Sequence, residues 1–338
     1  MAMLIIHMKQ ILIVGTGSIG ERHLRCFQTL PGVEVTACEP NEELGKAVAE
    51  RYGCRWFGSV EAALEEGGFD AVVICTPAHT HIPIATQCVE RGLHLLIEKP
   101  LAVSLEGVEA LQNLVCERGV VVRVAYVYRS LLVIQKLKEL LDGGVIGEPK
   151  QWAMVSGQNF PSFRPAYRTI YYARHSAGGG AIQDALTHSL HAAAWLLGPF
   201  QSLFTDAAHQ VLEGVEVEDT VNLIARLGNG GKVMGSFSLN QFQAPNEHRI
   251  DIHGTLGSLR SELHHARVGV YLQGSDQWQW HDLPKEDRDG PFTRQAQSFL
   301  NAISGKADNL STLAEGLETL RVNIAALQSS RNRSEVIP

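Results

Sequence analysis

The sequence predicts an α/β chain of two domains: an N-terminal doubly wound parallel sheet, residues 1–128, then a C-terminal α+β domain with a mostly antiparallel open sheet, residues 129–338. Three observations carry that expectation. Through the first third, short apolar runs alternate with amphipathic stretches, the pattern of strands joined by crossover helices. A glycine-rich turn follows the first run directly. Past residue 128 the rhythm changes to strands joined by short turns such as "LGNGGK", the mark of hairpins.

Taken in order, "KQILIVG" (9–15), "VEVTACE" (33–39), "DAVVICT" (70–76), "HLLIEKP" (94–100) and "VVVRVAY" (120–126) read as strands. They are apolar throughout because a parallel sheet is covered on both faces. Helical patterns fall between them near 19–30, 41–52, 80–91 and 104–118. Thr80 is placed to cap the third of these helices, and Pro83 is tolerated in its first turn. In the second domain a helix is expected over 131–144, ending at a glycine pair, and another over 183–197 lying on the sheet. Strands are expected near 149–158, 202–212, 217–227, 232–239, 248–254 and 267–272, with two helices in the tail from 292 to 330.

Bulk properties exclude several classes. A net charge of −7 argues against nucleic acid as a partner. No apolar run reaches the length of about 18 residues that spans a membrane. The opening "MAMLIIHM" has no basic n-region or small-residue cleavage site, so no secretory signal is expected. Six cysteines, with no CxxC and none after Cys116, fit reduced thiols in a cytoplasmic protein.

Gly15, Gly17 and Gly20 stand between the first strand and first helix. The first allows a tight turn, the second lets a pyrophosphate approach the backbone, and the third lets helix and strand pack closely. With Ser18 and Ile19 they open the helix, whose N-terminal amides attract anions. Glu39 ends the second strand, 24 residues after Gly15, where a carboxylate accepts both ribose hydroxyls. It also repels a 2′-phosphate, and neither Pro40 nor Asn41 supplies a cation, so NAD is favoured over NADP. Thr76 and Pro77, at the end of another strand, are expected to line the nicotinamide side of the crevice, and His79 and His81 to be caps or cofactor-loop residues.

In "GGGAIQDALTHSLH" a helix beginning just after Gly180 would set Asp184, His188 and His191 within about 60° of one another, on a single face. No metal is expected there, because the strong further ligands that zinc sites add have no candidates. From Pro149 through Gln183 there is no acid, yet Lys150, Arg164, Arg168 and Arg174 interleave with aromatic residues.

Three signatures, "GTGSIGERH", "CTPAHTHIPIATQCVERGLHLLIEKP" and "GGGAIQDALTHSLH", together resemble the glucose-fructose oxidoreductase and inositol dehydrogenase family, Gfo/Idh/MocA. The likeness runs over nearly the whole chain. It implies a Rossmann domain, tightly held NAD(P), a sugar or polyol substrate, and a homodimer or homotetramer built on the second domain's sheet. It also implies that Lys99 of "EKP" is the catalytic lysine, Asp184 the site acid and His188 the proton shuttle. Where many members carry Asp three residues after that histidine, this chain has His191.

Oxidising a secondary alcohol needs a base for the hydroxyl proton and a positive neighbour for the alkoxide, while the cofactor takes the hydride. Lys99 and His188 can each fill either role. Glu98 is expected on backbone or cofactor, and Pro100 in a fixed turn as a cis peptide. Arg164, Tyr167, Arg168, Tyr172 and His191 are the expected substrate contacts. The arginines point to an anionic or nucleotide-linked sugar, with pairing to a neighbouring subunit's acids as the alternative, and helix packing as the alternative for His191. Two other readings stay open within the resemblance: an NAD-using enzyme that cleaves glycosidic bonds, and a dinucleotide sensor without chemistry.

Overall fold

The computed structural model describes residues 8–338, so most of the opening stretch tested for a secretory signal lies outside the described residues. The chain forms two compact units. One runs to Ser130 and takes back Glu286–Gly316; the other comprises Leu131–Lys285 and Leu317–Pro338.

The first unit is built on β1 (Lys9–Val14), β2 (Val33–Cys38), β3 (Arg55–Phe57), β4 (Ala71–Ile74), β5 (His94–Ile97), β6 (Val122–Val124) and β15 (Ser311–Thr312). Their order, β15-β6-β5-β4-β1-β2-β3, is parallel except at β15 and is the doubly wound order of dinucleotide-binding sheets. Residues 71–74 and 95–97 are fully buried, which is why these strands read as unbroken apolar runs. Helices α1 (Ser18–Gln28), α2 (Glu42–Tyr52), α3 (Val60–Glu66), α4 (His81–Glu90) and α5 (Val108–Arg118) join them. The helix expected from 104 begins only at Val108, because Gly107 takes a φ of +73° that breaks it. β3 and α3 carry too few apolar residues to show a period. Thr80 precedes α4 but does not cap it with its side chain; its hydroxyl donates to Thr76 Oγ1 at 2.7 Å.

The domain boundary differs from expectation at the tail. α9 (Gly290–Ile303) belongs to the first unit, not the second. Phe299 is fully buried in the core beside Leu24 and Phe27, and Asp289 just before the helix binds both Arg22 and Arg25 of α1. An amphipathic period shows that α9 has a partner, not which unit supplies it.

The second unit holds an eight-stranded sheet of β7 (Pro149–Gly157), β8 (Phe200–Ala208), β9 (Thr220–Leu227), β10 (Val233–Asn240), β11 (Glu247–Gly254), β12 (Gly257–Glu262), β13 (Arg267–Leu272) and β14 (Gln279–Asp282). The order is β14-β13-β12-β11-β7-β10-β9-β8, antiparallel except where β10 lies beside β7. The sequence reading missed β12 and β14. Burial alternates along β9 and β10, so the sheet has one covered and one open face. The unit's helices are α6 (Leu132–Asp142), the single turn α7 (Phe160–Phe163), α8 (Thr187–Leu197) and most of α10 (Leu313–Asn332). α6 packs on β12 and β13, and α8 on β7.

His248 of β11 meets Ser189 of α8 at 3.4 Å and is buried at 9% exposure. Burial first, then the neighbouring His264, pushes its pKa down to about 4. The unfolded chain, with histidine near 6.5, therefore binds the proton more strongly between those values. His248 contributes full stability above about pH 6.5 and loses it as pH falls toward 4, up to roughly 3 kcal/mol. Urea unfolding across that range is expected to show a shallower acid loss for His248→Gln than for the wild type.

Candidate functional site

Between β1 and α1 the three glycines meet three different constraints. Gly15 has a φ of +83°, and a Cβ there would lie 3.1 Å from the Cys75 carbonyl and from Thr76 Cγ2. At Gly20 a Cβ would sit 1.8 Å from the Gly15 carbonyl oxygen, an impossible contact. At Gly17, where α1 starts, nothing lies within 4 Å of the Cβ position. Exposed Ser18 and half-buried Ile19 follow, and first-turn amides of this kind have no acceptor inside their helix. An open cradle with donors at a helix N-terminus fits a pyrophosphate.

Glu39 stands at the end of β2. Its Oε2 accepts Thr16 N–H at 2.8 Å and the Thr16 hydroxyl at 3.3 Å, and Oε1 accepts Asn41 N–H at 3.1 Å. The carboxylate is thereby fixed beside the glycine turn with acceptor capacity left on Oε1. Half-buried Thr76 and exposed Pro77 follow β4 at the same carboxyl edge, where doubly wound sheets receive ligands.

Half-buried Lys99 follows β5, and the Lys99–Pro100 peptide is cis, as expected. Glu98 is only 5% exposed. Its Oε2 accepts the Lys99 N–H at 2.9 Å and its Oε1 lies 2.8 Å from His23 Nε2. Of its two expected partners, backbone and cofactor, Glu98 has the backbone. His81, expected to be a cap or cofactor-loop residue, is an internal tie: 1% exposed, it sets Nε2 on the Thr76 carbonyl at 2.8 Å and Nδ1 on the Pro100 carbonyl at 3.1 Å. Burial pushes its pKa down. The sequence reading missed His23, although it shares a helical stripe with Gly20, Leu24 and Phe27, where a histidine is out of place.

In the second unit the helix after Gly180 opens with a π turn, Ile182–Leu186, before α8. The uniform spacing expected from 184 to 191 is therefore interrupted. The cause lies outside the helix: Glu218, 7% exposed, accepts Ile182 N–H at 2.9 Å through Oε1, and its carbonyl accepts Ala181 N–H at 2.9 Å. Its other oxygen meets His175, and a Cβ at Gly180 would lie 2.6 Å from the carboxylate. No local sequence signal identifies Glu218, because it comes from the far end of the chain segment.

Asp184, in the π turn, is 2% exposed; Oδ1 accepts the Tyr171 hydroxyl at 2.5 Å and Oδ2 meets Arg164 Nη1 at 3.3 Å. The nearby carboxylate raises the Arg164 pKa. His188 is half-buried. His191 is 1% exposed with Nδ1 2.9 Å from Thr319 Oγ1 on α10, which is the packing alternative of the two left open.

Two expected substrate contacts are corrected outright. Tyr167 and Tyr172, 2% and 1% exposed, form a core cluster with Phe160, Leu212, Val215 and Val217. Their hydroxyls are used inside: Tyr167 donates to the Glu213 carbonyl at 2.9 Å, and Tyr172 to Gln241. The interleaved aromatics build a core rather than a stacking surface. Exposed Arg168 stacks on Tyr167 and pairs with Glu213 at 3.3 Å, and Lys150 pairs with Glu148 at 2.9 Å. Three of the four cations of this run thus have acids within their own unit. Among the described residues, no group of three or more His, Cys, Asp or Glu is arranged to hold a metal ion.

The sheet order and the turn at Gly15–Gly20 define a dinucleotide-binding oxidoreductase class. The N-terminal family model, an oxidoreductase family with an NAD-binding Rossmann fold, matches residues 9–126, and the family's C-terminal domain model matches 134–260. The chain belongs to the Gfo/Idh/MocA family. It is 27% identical to levoglucosan dehydrogenase of Pseudarthrobacter phenanthrenivorans over 73% of this chain and 72% of that one. It is 27% identical to the NAD-dependent scyllo-inositol 2-dehydrogenase of Bacillus subtilis over 96% and 95%. A solved levoglucosan dehydrogenase, in complex with NADH and levoglucosan, shares the fold with a TM-score of 0.88 at 21% identity, over 97% of this chain and 99% of that one.

Glu39→Ala is expected to weaken NAD+ binding about tenfold or more, as loss of a charged hydrogen-bond acceptor does, and to narrow the preference over NADP+. Calorimetric titration with both nucleotides checks this.

Proposed function

We propose that the chain is an NAD-dependent dehydrogenase moving hydride between nicotinamide and a secondary hydroxyl of a neutral sugar or polyol. The observation that carries the reading is the cradle at Gly17, open where Gly15 and Gly20 admit no side chain, with Glu39 fixed beside it. Bound there, the nicotinamide supplies the hydride acceptor. Lys99 and His188 divide the remaining work: one takes the hydroxyl proton and the other steadies the developing charge. Asp184, four residues before His188, is held by Tyr171 and Arg164, one on each carboxylate oxygen.

A neutral substrate is supported by the internal pairing of Arg164, Arg168 and Lys150, which leaves less free positive charge than the sequence implies. The named substrates of the two relatives, levoglucosan and scyllo-inositol, are uncharged. We place the protein in the cytoplasm: all six cysteines are free thiols, the state a reducing compartment maintains. No helix among the described residues is long and apolar enough to cross a membrane.

Levoglucosan, scyllo-inositol, other neutral polyols and UDP-N-acetylglucosamine, each offered with NAD+ and followed by NADH absorbance, test the reading. A neutral compound is expected to be oxidised, with Lys99→Ala and His188→Ala each lowering kcat about 10²–10⁴-fold while NAD+ still binds. Wild-type turnover in both variants overturns the site, and exclusive use of the nucleotide sugar overturns the neutral substrate.

We also propose a homodimer or homotetramer through the open face of the eight-stranded sheet. Ile224, Met234 and Phe204 are 61%, 54% and 37% exposed there, and Ile224 and Phe204 pair directly across β8 and β9. Exposed apolar residues grouped in this way mark an interface. Sedimentation is expected to find an oligomer in the wild type and monomers in Ile224→Asp/Met234→Asp.

A further inference from the structure

Two buried histidines, one on α1 and one on α4, close on the turn that carries Lys99, and the proposed chemistry uses neither. His23 is fully buried, its ring edge-on to Phe292 at 5.5 Å. Its Nε2 meets Glu98 Oε1 at 2.8 Å, and Glu98 Oε2 accepts the Lys99 backbone N–H at 2.9 Å. His23 Nδ1 has no hydrogen-bond partner among the described residues, and an N–H at Nε2 donates to Glu98 to satisfy the pair. On the other flank, His81 spans the Thr76 carbonyl at 2.8 Å and the carbonyls of Pro100 and Leu101 at 3.1 and 3.3 Å.

Stability alone does not explain a carboxylate spent this way, because burying a charge costs more than filling the space with apolar atoms. Geometry does: hydrogen bonds to a carboxylate are short and directional, and a reacting group misplaced by about 1 Å loses on the order of 10²-fold in rate. We propose that His23 and Glu98, with His81 on the far side of the turn, are positioning residues that fix the backbone from which Lys99 reaches its substrate. This rests on the reading of Lys99 as a catalytic residue. It adds that the catalytic geometry is set from α1, the helix that also carries the dinucleotide cradle.

The test follows Lys99 in the full-length protein without substrate. Lysines are reductively dimethylated with carbon-13 formaldehyde, the Lys99 signal is identified by its loss in Lys99→Arg, and side-chain order is measured by NMR relaxation. Glu98→Gln and Glu98→Ala lose the same charge, but only glutamine keeps an acceptor for the Lys99 N–H and an amide that a re-tautomerised His23 accepts. Lys99 is expected to keep wild-type order in Glu98→Gln and to loosen toward the exposed lysines in Glu98→Ala and His81→Phe. Should Glu98→Ala fail to fold, His23→Phe keeps the ring bulk against Phe292, removes the donor and is expected to loosen Lys99 likewise. Unchanged order in these variants, or equal loss in Gln and Ala, overturns the positioning role. Retained turnover in Lys99→Ala instead overturns the catalytic reading and leaves the NMR result standing.

Discussion

The first unit depends on how closely α1 approaches the turn before it. Gly20 has no room for a methyl group against the Gly15 carbonyl, so the helix is pressed onto the sheet edge at backbone distance. Three consequences follow. The amides of its first turn open at Gly17, where a pyrophosphate can be met. His23, three residues beyond Gly20, reaches Glu98 at the end of β5. And the outer side of α1 becomes the seat of α9, through Phe27 on Phe299 and Arg25 on Asp289. One steric constraint thus orders the cradle, the Lys99 turn and the return of the C-terminal segment.

The second unit solves a different problem, that of presenting an acid from an almost closed interior. Asp184 is buried, and a bare carboxylate there would be costly. Tyr171 and Arg164 satisfy it, one oxygen each. The helix beginning around it is widened into a π turn, with its leading amides taken by Glu218 rather than by a local cap. Such turns recur at functional sites because they re-aim side chains without ending the helix. The segment from 159 to 178, rich in arginine and tyrosine, acts as scaffolding for this acid, since its tyrosines are core or bonded to it and Arg164 is its counter-ion.

The sequence made legible whatever is written in local pattern. The strands of the parallel sheet stood out because both faces are buried, and the glycine turn because Gly15 and Gly20 meet steric demands that other residues do not satisfy, while Gly17 leaves its surroundings open. Glu39 could be named from spacing, since strand length and turn length are both short and regular. Illegible were β3 and β15, of three and two residues, whose pairing is supplied by neighbours rather than by their own period. Tyr167 and Tyr172 were misjudged because an amphipathic side chain reads alike whether its hydroxyl meets a ligand or a carbonyl.

What the sequence by itself determined is the fold class, the dinucleotide cradle and the residue types available for chemistry, because these follow from short-range periodicity and backbone sterics. What only the tertiary structure decided is which polar groups are consumed by one another. Glu98 goes to His23 and the Lys99 amide, His81 to three carbonyls, His191 to Thr319, and Glu218 to the start of the 182–197 helix. Apart from the Thr76 carbonyl, five residues before His81, and the Lys99 amide adjacent to Glu98, each partner lies between 19 and 128 residues away in the chain. A buried polar group must be satisfied by whatever the fold brings beside it, and that pairing leaves no trace in the spacing of residues along one strand or helix.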